Sequence, residues 1–452
     1  MSCERALPPV GADWLQRLTA AAGAAATGLA RVEPGRLVSL SLPLPFELDM
    51  SGRAQEGDSQ WFGARDGVRI YAGGEAVCFE ADASRRFEAE RRRWHLLGQA
   101  GPPPLAFFTV PPATAPSTPR IWVPSIAVRQ GGGPAAVILS AWWKGGEGEA
   151  GIVAGAWLRA LGRIGGEEQS SGFLLPLRLL ASAAEPSDAA WEQRVGRAAE
   201  AIADGRLAKV VLARRLGLEL SRPADPARVA ASLARVNPEC CVFSLPCGPG
   251  RVIAASPELL AVKRGDRLVS HALAGTAKRH DGPEEDAAAA AVLMASAKER
   301  REHAVVVDAI AAGFAEICDR VERLPEPAVM PLRFVQHLWT PIAGRLRAGV
   351  GLIDAVIRLH PTPAVLGSPP QVALEWLRDI GERRDGLYTG VAGWIDRDGD
   401  GDAAVVLRSA YLEDRTAVLW AGAGIMADSD PRAEFAETEM KLASLMEVLN
   451  AP

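Results

Sequence analysis

The sequence predicts a mixed α and β protein, on three observations. The first 180 residues run through short apolar stretches bounded by Gly and Pro, and the rest alternates long amphipathic stretches with β-branched runs. Apolar residues make up 48% of the 452-residue chain and charged residues 23%, enough to bury a large core and unlike a disordered or fibrous composition. At roughly 150 residues per domain the length suggests about three units, although large α/β enzymes often exceed that size as one.

In chain order, RLVSLSLPL, DGVRIYAGGEAVCFEA, LAFFTV, RIWVPSIAV and AAVILSAWW read as strands of an antiparallel sheet, each a short apolar run closed by turn residues. ASRRFEAERRRWHLL (Ala83 to Leu97) is the one clear helix of this part, its Arg-rich side a solvated face. Between Ser170 and Ser187 the pattern loosens, and Ser187 or Asp188 can cap the helix that follows, so a boundary near 180 separates 1–180 from 181–452. DAAWEQRVGRAAEAIADG is then an amphipathic helix and LAKVVLARRLGLEL a buried strand. Further helices are expected from Asp286 to Cys318, over VALEWLRDIGERR, and from Pro431 to Leu449.

Charge and cysteine usage exclude several classes. Fifty Lys plus Arg against fifty-five Asp plus Glu give a net charge of −5, without the basic excess that a phosphate backbone selects, so no nucleic-acid partner is expected. Cys3, Cys78, Cys240, Cys241, Cys247 and Cys318 form no CxxC pair or zinc spacing and fit reduced thiols of a cytoplasmic protein. The start MSCERALPPV lacks the basic and apolar regions of a signal peptide. The longest uncharged stretch, Trp94 to Pro119, holds seven prolines, and AAAAAVLMASA is too short to span a bilayer, so no membrane association is expected.

Two local motifs fail on inspection. DRDGDGDAAVVL places Asp396, Asp398, Asp400 and Gly401 like a calcium loop, but Leu407 stands where a bidentate Glu is needed, and a polar hairpin turn fits better. AGAGIMA lacks the acidic partner of a dinucleotide fingerprint. No phosphate loop, HExxH or GxSxG elbow is present.

What remains is a set of ionisable residues in apolar settings. Lys209 opens the strand-like KVVLAR, either snorkelling from a strand edge or desolvated as a base. Glu258 in AASPELLAV is either a helix or turn cap or a carboxyl held protonated by burial. Glu302 and His303 lie on one helix, and Glu437 lies on the last one with Glu434 and Lys441 on its face. Either helix alone reads as a surface ladder; together they offer two carboxylates to one hard cation, for which magnesium is the natural choice. Arg408, in the strand-like AAVVLRSAY, is a buried ion pair or an anion site. His337 and His360 read as core or turn histidines, with a substrate contact as the alternative for His337.

The strings KVVLAR, SPELL, LAGTAKR, KERREH, QHLW, LHPTPAVLGSP, GWIDRDGDGD, VLRSA and AGAGIMADSDPRAEFAETEMKL, in this order over about residues 188–450, resemble the chorismate-utilising enzymes, most closely the isochorismate synthases. The resemblance implies a large α/β (α+β) fold with two antiparallel sheets face to face, helices outside, and the active site between the sheets. It implies that Lys209 activates water for attack on C2 of chorismate and that Glu258 protonates the departing C4 hydroxyl. It further implies that Glu302 and Glu437 hold Mg2+, and that His337, Arg408, Lys441 and the backbone around Gly275, Thr276, Ala364, Val365 and Gly422 contact substrate. Ala274 stands where aminodeoxychorismate makers carry a nucleophilic lysine, and no LLES string is present, so neither ammonia chemistry nor a glutaminase subunit is implied. A salicylate synthase and a non-catalytic chorismate binder are the competing expectations, and a monomer is the default.

Overall fold

A computed structural model describes residues 13–50, 57–64, 67–80, 82–98, 101–114, 118–146, 148–165 and 177–450. Cys3, the start at 1–10 and the loosened stretch up to 176 lie outside them. The chain divides into two compact units, one of 1–107, 120–175 and 396–398, the other of 108–119, 176–395 and 399–452.

In the first unit, Arg36–Pro43, Ala136–Trp143, Ile126–Gln130, Arg69–Gly73 and Ser59–Phe62 pair antiparallel in that order, with His95–Leu96 added parallel to Arg36–Pro43. The expected helix from Ala83 stops at Arg93, because Trp94 is pulled into the core with its indole N–H donating to Ser39 Oγ at 2.9 Å. Two helices that the sequence reading did not expect, Asp13–Thr27 and Glu149–Gly165, cover the sheet. The second carries Gly151, Gly155 and Gly162 before it ends at Gly165, and glycine costs about 1 kcal/mol against Ala in a helix interior, so propensity argued against it. Packing decides instead: Val153, Trp157, Ala160, Leu161 and Ile164 make one apolar stripe against Leu18, Ala22, Val38 and Val137.

The second unit is built on two sheets whose strands all pair antiparallel, as expected. One runs Leu179–Glu185, Lys209–Leu220, Thr416–Ile425, Ser409–Glu413, Gly250–Ser256, Cys241–Cys247. The other runs Cys318–Arg323, Val335–Leu346, Arg267–Lys278, Leu259–Arg264, Gly401–Val405, Val391–Asp396. Alternation along the Lys209 strand sends Val210 and Leu212 into a core with Trp191, Val195 and Ala198, and leaves Lys209 and Val211 for the opposite face. The paired strand does the same, with Ala423 and Ile425 inward and Gly422 and Gly424 opposite.

Ser187 caps Asp188–Ala203 as expected, and Pro431–Leu449 forms with the expected bounds. The helix expected from Asp286 to Cys318 is two, Pro283–Ala295 and Ala297–Ile317, because Ser296 turns extended and its Oγ accepts from Glu299 N. The helix expected to run through Arg384 is Pro370–Asp379. Gly381, at φ +70°, ends it, with Gly381 N and Glu382 N donating back to Arg378 O and Leu377 O. The DG-rich hairpin joins Val391–Asp396 to Gly401–Val405, and Asp400 accepts from Lys263 Nζ at 2.9 Å. No described helix is long and apolar enough to cross a membrane.

Candidate active site

Every residue given a role by the resemblance borders one cleft of the second unit, with about 690 Å3 of empty space counting its mouth. Lys209, the first residue of its strand, has a side chain only 1% exposed and places Nζ 2.8 Å from Glu302 Oε1. It does not snorkel. Opposite, a Cβ on Gly424 would stand 2.7 Å from Lys209 Cε and closer still to Glu302, so only glycine leaves room for the pair.

Glu258 lies between the strands Gly250–Ser256 and Leu259–Arg264, which removes the helix-cap alternative. It is buried and accepts from Thr362 Oγ1 at 3.2 Å. Burial pushes its carboxyl up to about 7, against Thr362, Lys209 and Lys441, which pull it down. The carboxyl therefore holds its proton up to about neutral pH.

Arg408 corrects an expectation: its strand ends at Val405, and Arg408 turns at φ +47° before Ser409–Glu413. Among the described residues it makes no ion pair; its Nη2 donates to His337 Nε2 at 2.6 Å. A guanidinium always donates, so His337 carries its proton on Nδ1, which donates to Gly275 O at 3.0 Å. Burial and Arg408 hold His337 well below its usual range, hence neutral. Gly275 is the bulge of its strand, where pairing jumps from Ala274↔Leu338 to Thr276↔His337. Its φ of +76° and the 3.2 Å from its would-be Cβ to Glu299 demand glycine, and the bulge aims Thr276 N at Glu299 Oε2 (3.1 Å). Ala364 and Val365 occupy a turn after the helix Leu352–Leu359, where Val365 N and Leu366 N both donate to Thr362 O.

Glu299 and Glu302 come from the helix Ala297–Ile317, Glu434 and Glu437 from Pro431–Leu449. Glu302 and Glu434 are buried, so neither helix is a plain surface ladder. Burial, then Glu437, push Glu434 up to about 7, and burial with Glu302 raises Glu299. Lysines stand in as cations: Lys298 Nζ lies 2.8 Å from Glu434, and Lys441 Nζ lies 2.6 Å from Glu437 and 2.8 Å from Gly422 O. Among the described residues no three His, Cys, Asp or Glu converge on a metal position. The donor set, two carboxylates backed by two more, suits a cation that keeps waters.

Tyr388, Thr389, Leu407 and Val211, which nothing in the sequence singles out as site residues, also line the cleft, with Thr362, Glu299 and Lys298 behind it. Tyr388 stacks on Trp420 (centroids 5.1 Å apart, 12°) with its hydroxyl beside Gly422. A tyrosine in an apolar run looks like core, and its one local signal was the Gly-flanked GLYTG.

Comparison with known proteins places this cleft. Residues 111–450 match the family described as chorismate binding enzyme. The chain is 35% identical to isochorismate synthase MenF of Bacillus subtilis over 60% of its own length and 58% of the relative's. It is 37% identical to the salicylate biosynthesis isochorismate synthase of Pseudomonas aeruginosa over 58% of this chain and 55% of that one. The match thus spans little more than half of each of these relatives. Among solved structures, MenF, the menaquinone-specific isochorismate synthase from Escherichia coli, superposes with a TM-score of 0.79 at 27% identity, over 96% of this chain and 99% of that one. With about three quarters of its residues inside the match, and the whole cleft among them, the chain belongs to the chorismate-binding enzyme family.

Proposed function

We propose that the protein is an isochorismate synthase, converting chorismate to isochorismate by adding water at C2 and expelling the C4 hydroxyl. The observation that carries this is one cleft holding a buried lysine, a carboxyl protonated near neutrality and an arginine with no counter-ion among the described residues. Lys209, the ammonium beside Glu302 in the resting cleft, first gives up its proton to solvent and then, as free amine, takes one from water as oxygen bonds to C2; the ring double bonds shift, the C4–O bond breaks, and Glu258 gives its proton to the departing hydroxide, so that water leaves. Arg408, held by neutral His337, receives one substrate carboxylate bidentately. Lys441, fixed on Gly422 O, adds positive charge on that side. Glu302 and Glu437 would hold Mg2+, which supplies charge for the ring carboxylate.

We further infer that the enzyme acts in the cytoplasm as a monomer, without a glutaminase subunit. Its five described cysteines are free thiols, and Ala274 provides no nucleophile. Incubation with chorismate and Mg2+, without ammonia or glutamine, tests the reading by chromatography with mass detection. A new peak of unchanged mass that vanishes with chelator is expected. Salicylate with pyruvate would move the chain to the salicylate synthases, and unaltered chorismate would leave a binder.

A further inference from the structure

We propose that the buried pair Arg384–Glu382 is the positioning device of the cleft wall, fixing the Lys209 strand against the Ala364–Val365 turn and the Thr389 corner at the spacing turnover requires. The inference rests on the isochorismate synthase reading and deepens it.

The side chains of Arg384 and Glu382 are 1% and 2% exposed. Arg384 Nε and Nη2 lie 2.9 and 2.8 Å from Glu382 Oε1, and the donors that remain all go to cleft-lining segments. Nη2 donates to Val211 O at 2.6 Å, and Nη1 donates to Val365 O and, at 3.4 Å, to Thr389 Oγ1. Glu382 Oε2 accepts from Ala213 N at 3.1 Å. Val211, Val365 and Thr389 all border the cleft, and neither charged residue touches it.

Sheet topology explains why side chains do this work. The Lys209 strand pairs with Thr416–Ile425 on one edge from Val210 to Glu219. On its other edge, Gly367–Ser368 covers Lys209 and Val210, and Leu179–Glu185 covers Arg215 onward. Between them, Val211 N finds Leu366 O, Val211 O finds Arg384 and Ala213 N finds Glu382. The ion pair takes the place of the missing strand and ties that gap to the turn carrying Ala364 and Val365. Lys209 stands two residues before Val211, so slack here displaces the base from C2, and a misplacement of about 1 Å can cost roughly 100-fold in rate.

Removing one charge alone would strand the other in the core, so the test removes both. In E382Q/R384M the glutamine oxygen still accepts from Ala213 N, while the grip on Val211, Val365 and Thr389 is gone. The double variant is expected to melt within about 5 °C of wild type. Its kcat should fall roughly 30- to 100-fold with the chorismate dissociation constant within about threefold, and its Val211 amide should exchange faster. R384K, whose compact ammonium cannot span acceptors that the guanidinium reaches from three separate nitrogens, should recover part of the rate. A merely structural role would lower the melting temperature and the active fraction, leaving kcat per folded molecule unchanged. A folded double variant with wild-type kcat overturns the proposal; if that variant does not fold, wild-type kcat in R384K does so. Should the wild type itself fail to convert chorismate, the functional reading falls, and Val211 exchange still decides: equal protection in wild type and R384K overturns the positioning role.

Discussion

Glu258 shows how one buried group couples chemistry to stability. Its carboxyl titrates near 7 in the folded chain against an ordinary value of 4.5. The native state therefore keeps a proton that the unfolded chain releases, so stability is full below about 4.5 and declines as pH rises through 7. Over those 2.5 units the penalty at pH 8 is about 3 kcal/mol. Glu258→Gln cannot ionise, so it should gain up to about that much over wild type at pH 8 and close to nothing at pH 4.5, in denaturant titrations at the two values. The same variant should lose roughly 100- to 10,000-fold in kcat, and wild-type kcat should decline above pH 7 as the acid is deprotonated. Parallel stability curves would mean that Glu258 is ionised in the fold. Lys209 gives the complementary case. Lys209→Met should abolish turnover and leave Glu302 without its ammonium, and the freed carboxylate should then bind Mg2+ at least about tenfold more tightly by calorimetry. Unchanged metal affinity would place the cation away from Glu302.

At the scale of elements, what the sequence revealed divides along physical lines. The strand opening at Lys209 and the helix Pro431–Leu449 were legible because alternation and capping are local signals. Glu149–Gly165 was not, since packing against Val38 and Val137 overrides the unfavourable Gly151, Gly155 and Gly162. Arg408 reads as a strand residue because AAVVLRSAY is a nearly unbroken apolar run with nothing to mark the turn at φ +47°. The bulge at Gly275 was equally hidden: LAGTAKR reads as a strand, and only the pairing with Val335–Leu346 shows two residues opposing one. That bulge aims Gly275 O at His337 and Thr276 N at Glu299, so it orders both the arginine side and the carboxylate side of the cleft. Gly275→Ala should cost about 1–3 kcal/mol in stability from strain at φ +76° and weaken chorismate binding with it. A variant with wild-type melting and affinity would show that the backbone can relax there.

Across the whole molecule, the cleft collects groups from Lys209 to Lys441, a span that no local periodicity can connect; the ordered motifs alone made it readable. Its charge balance departs from that of the chain, which is net −5. Below pH 7, where Glu258 keeps its proton and His337 is neutral, the resting lining sets Lys209, Arg408 and Lys441 against Glu302 and Glu437, leaving +1. A proposed Mg2+ raises this to +3, and a substrate with two carboxylates brings it back to +1, so each ligand prepares the site for the other. Metal and chorismate should therefore bind with positive coupling of about 5- to 150-fold, equal in both directions because the two equilibria share one cycle. Calorimetric titration of chorismate with and without Mg2+, and of Mg2+ with and without chorismate, measures both arms. Glu437→Gln should raise the metal requirement sharply and weaken metal affinity, shrinking the coupling without abolishing chorismate binding through Arg408. Absent coupling would mean that the carboxylates of the two helices serve only their lysines, and that Arg408 and Lys441 hold the substrate unaided.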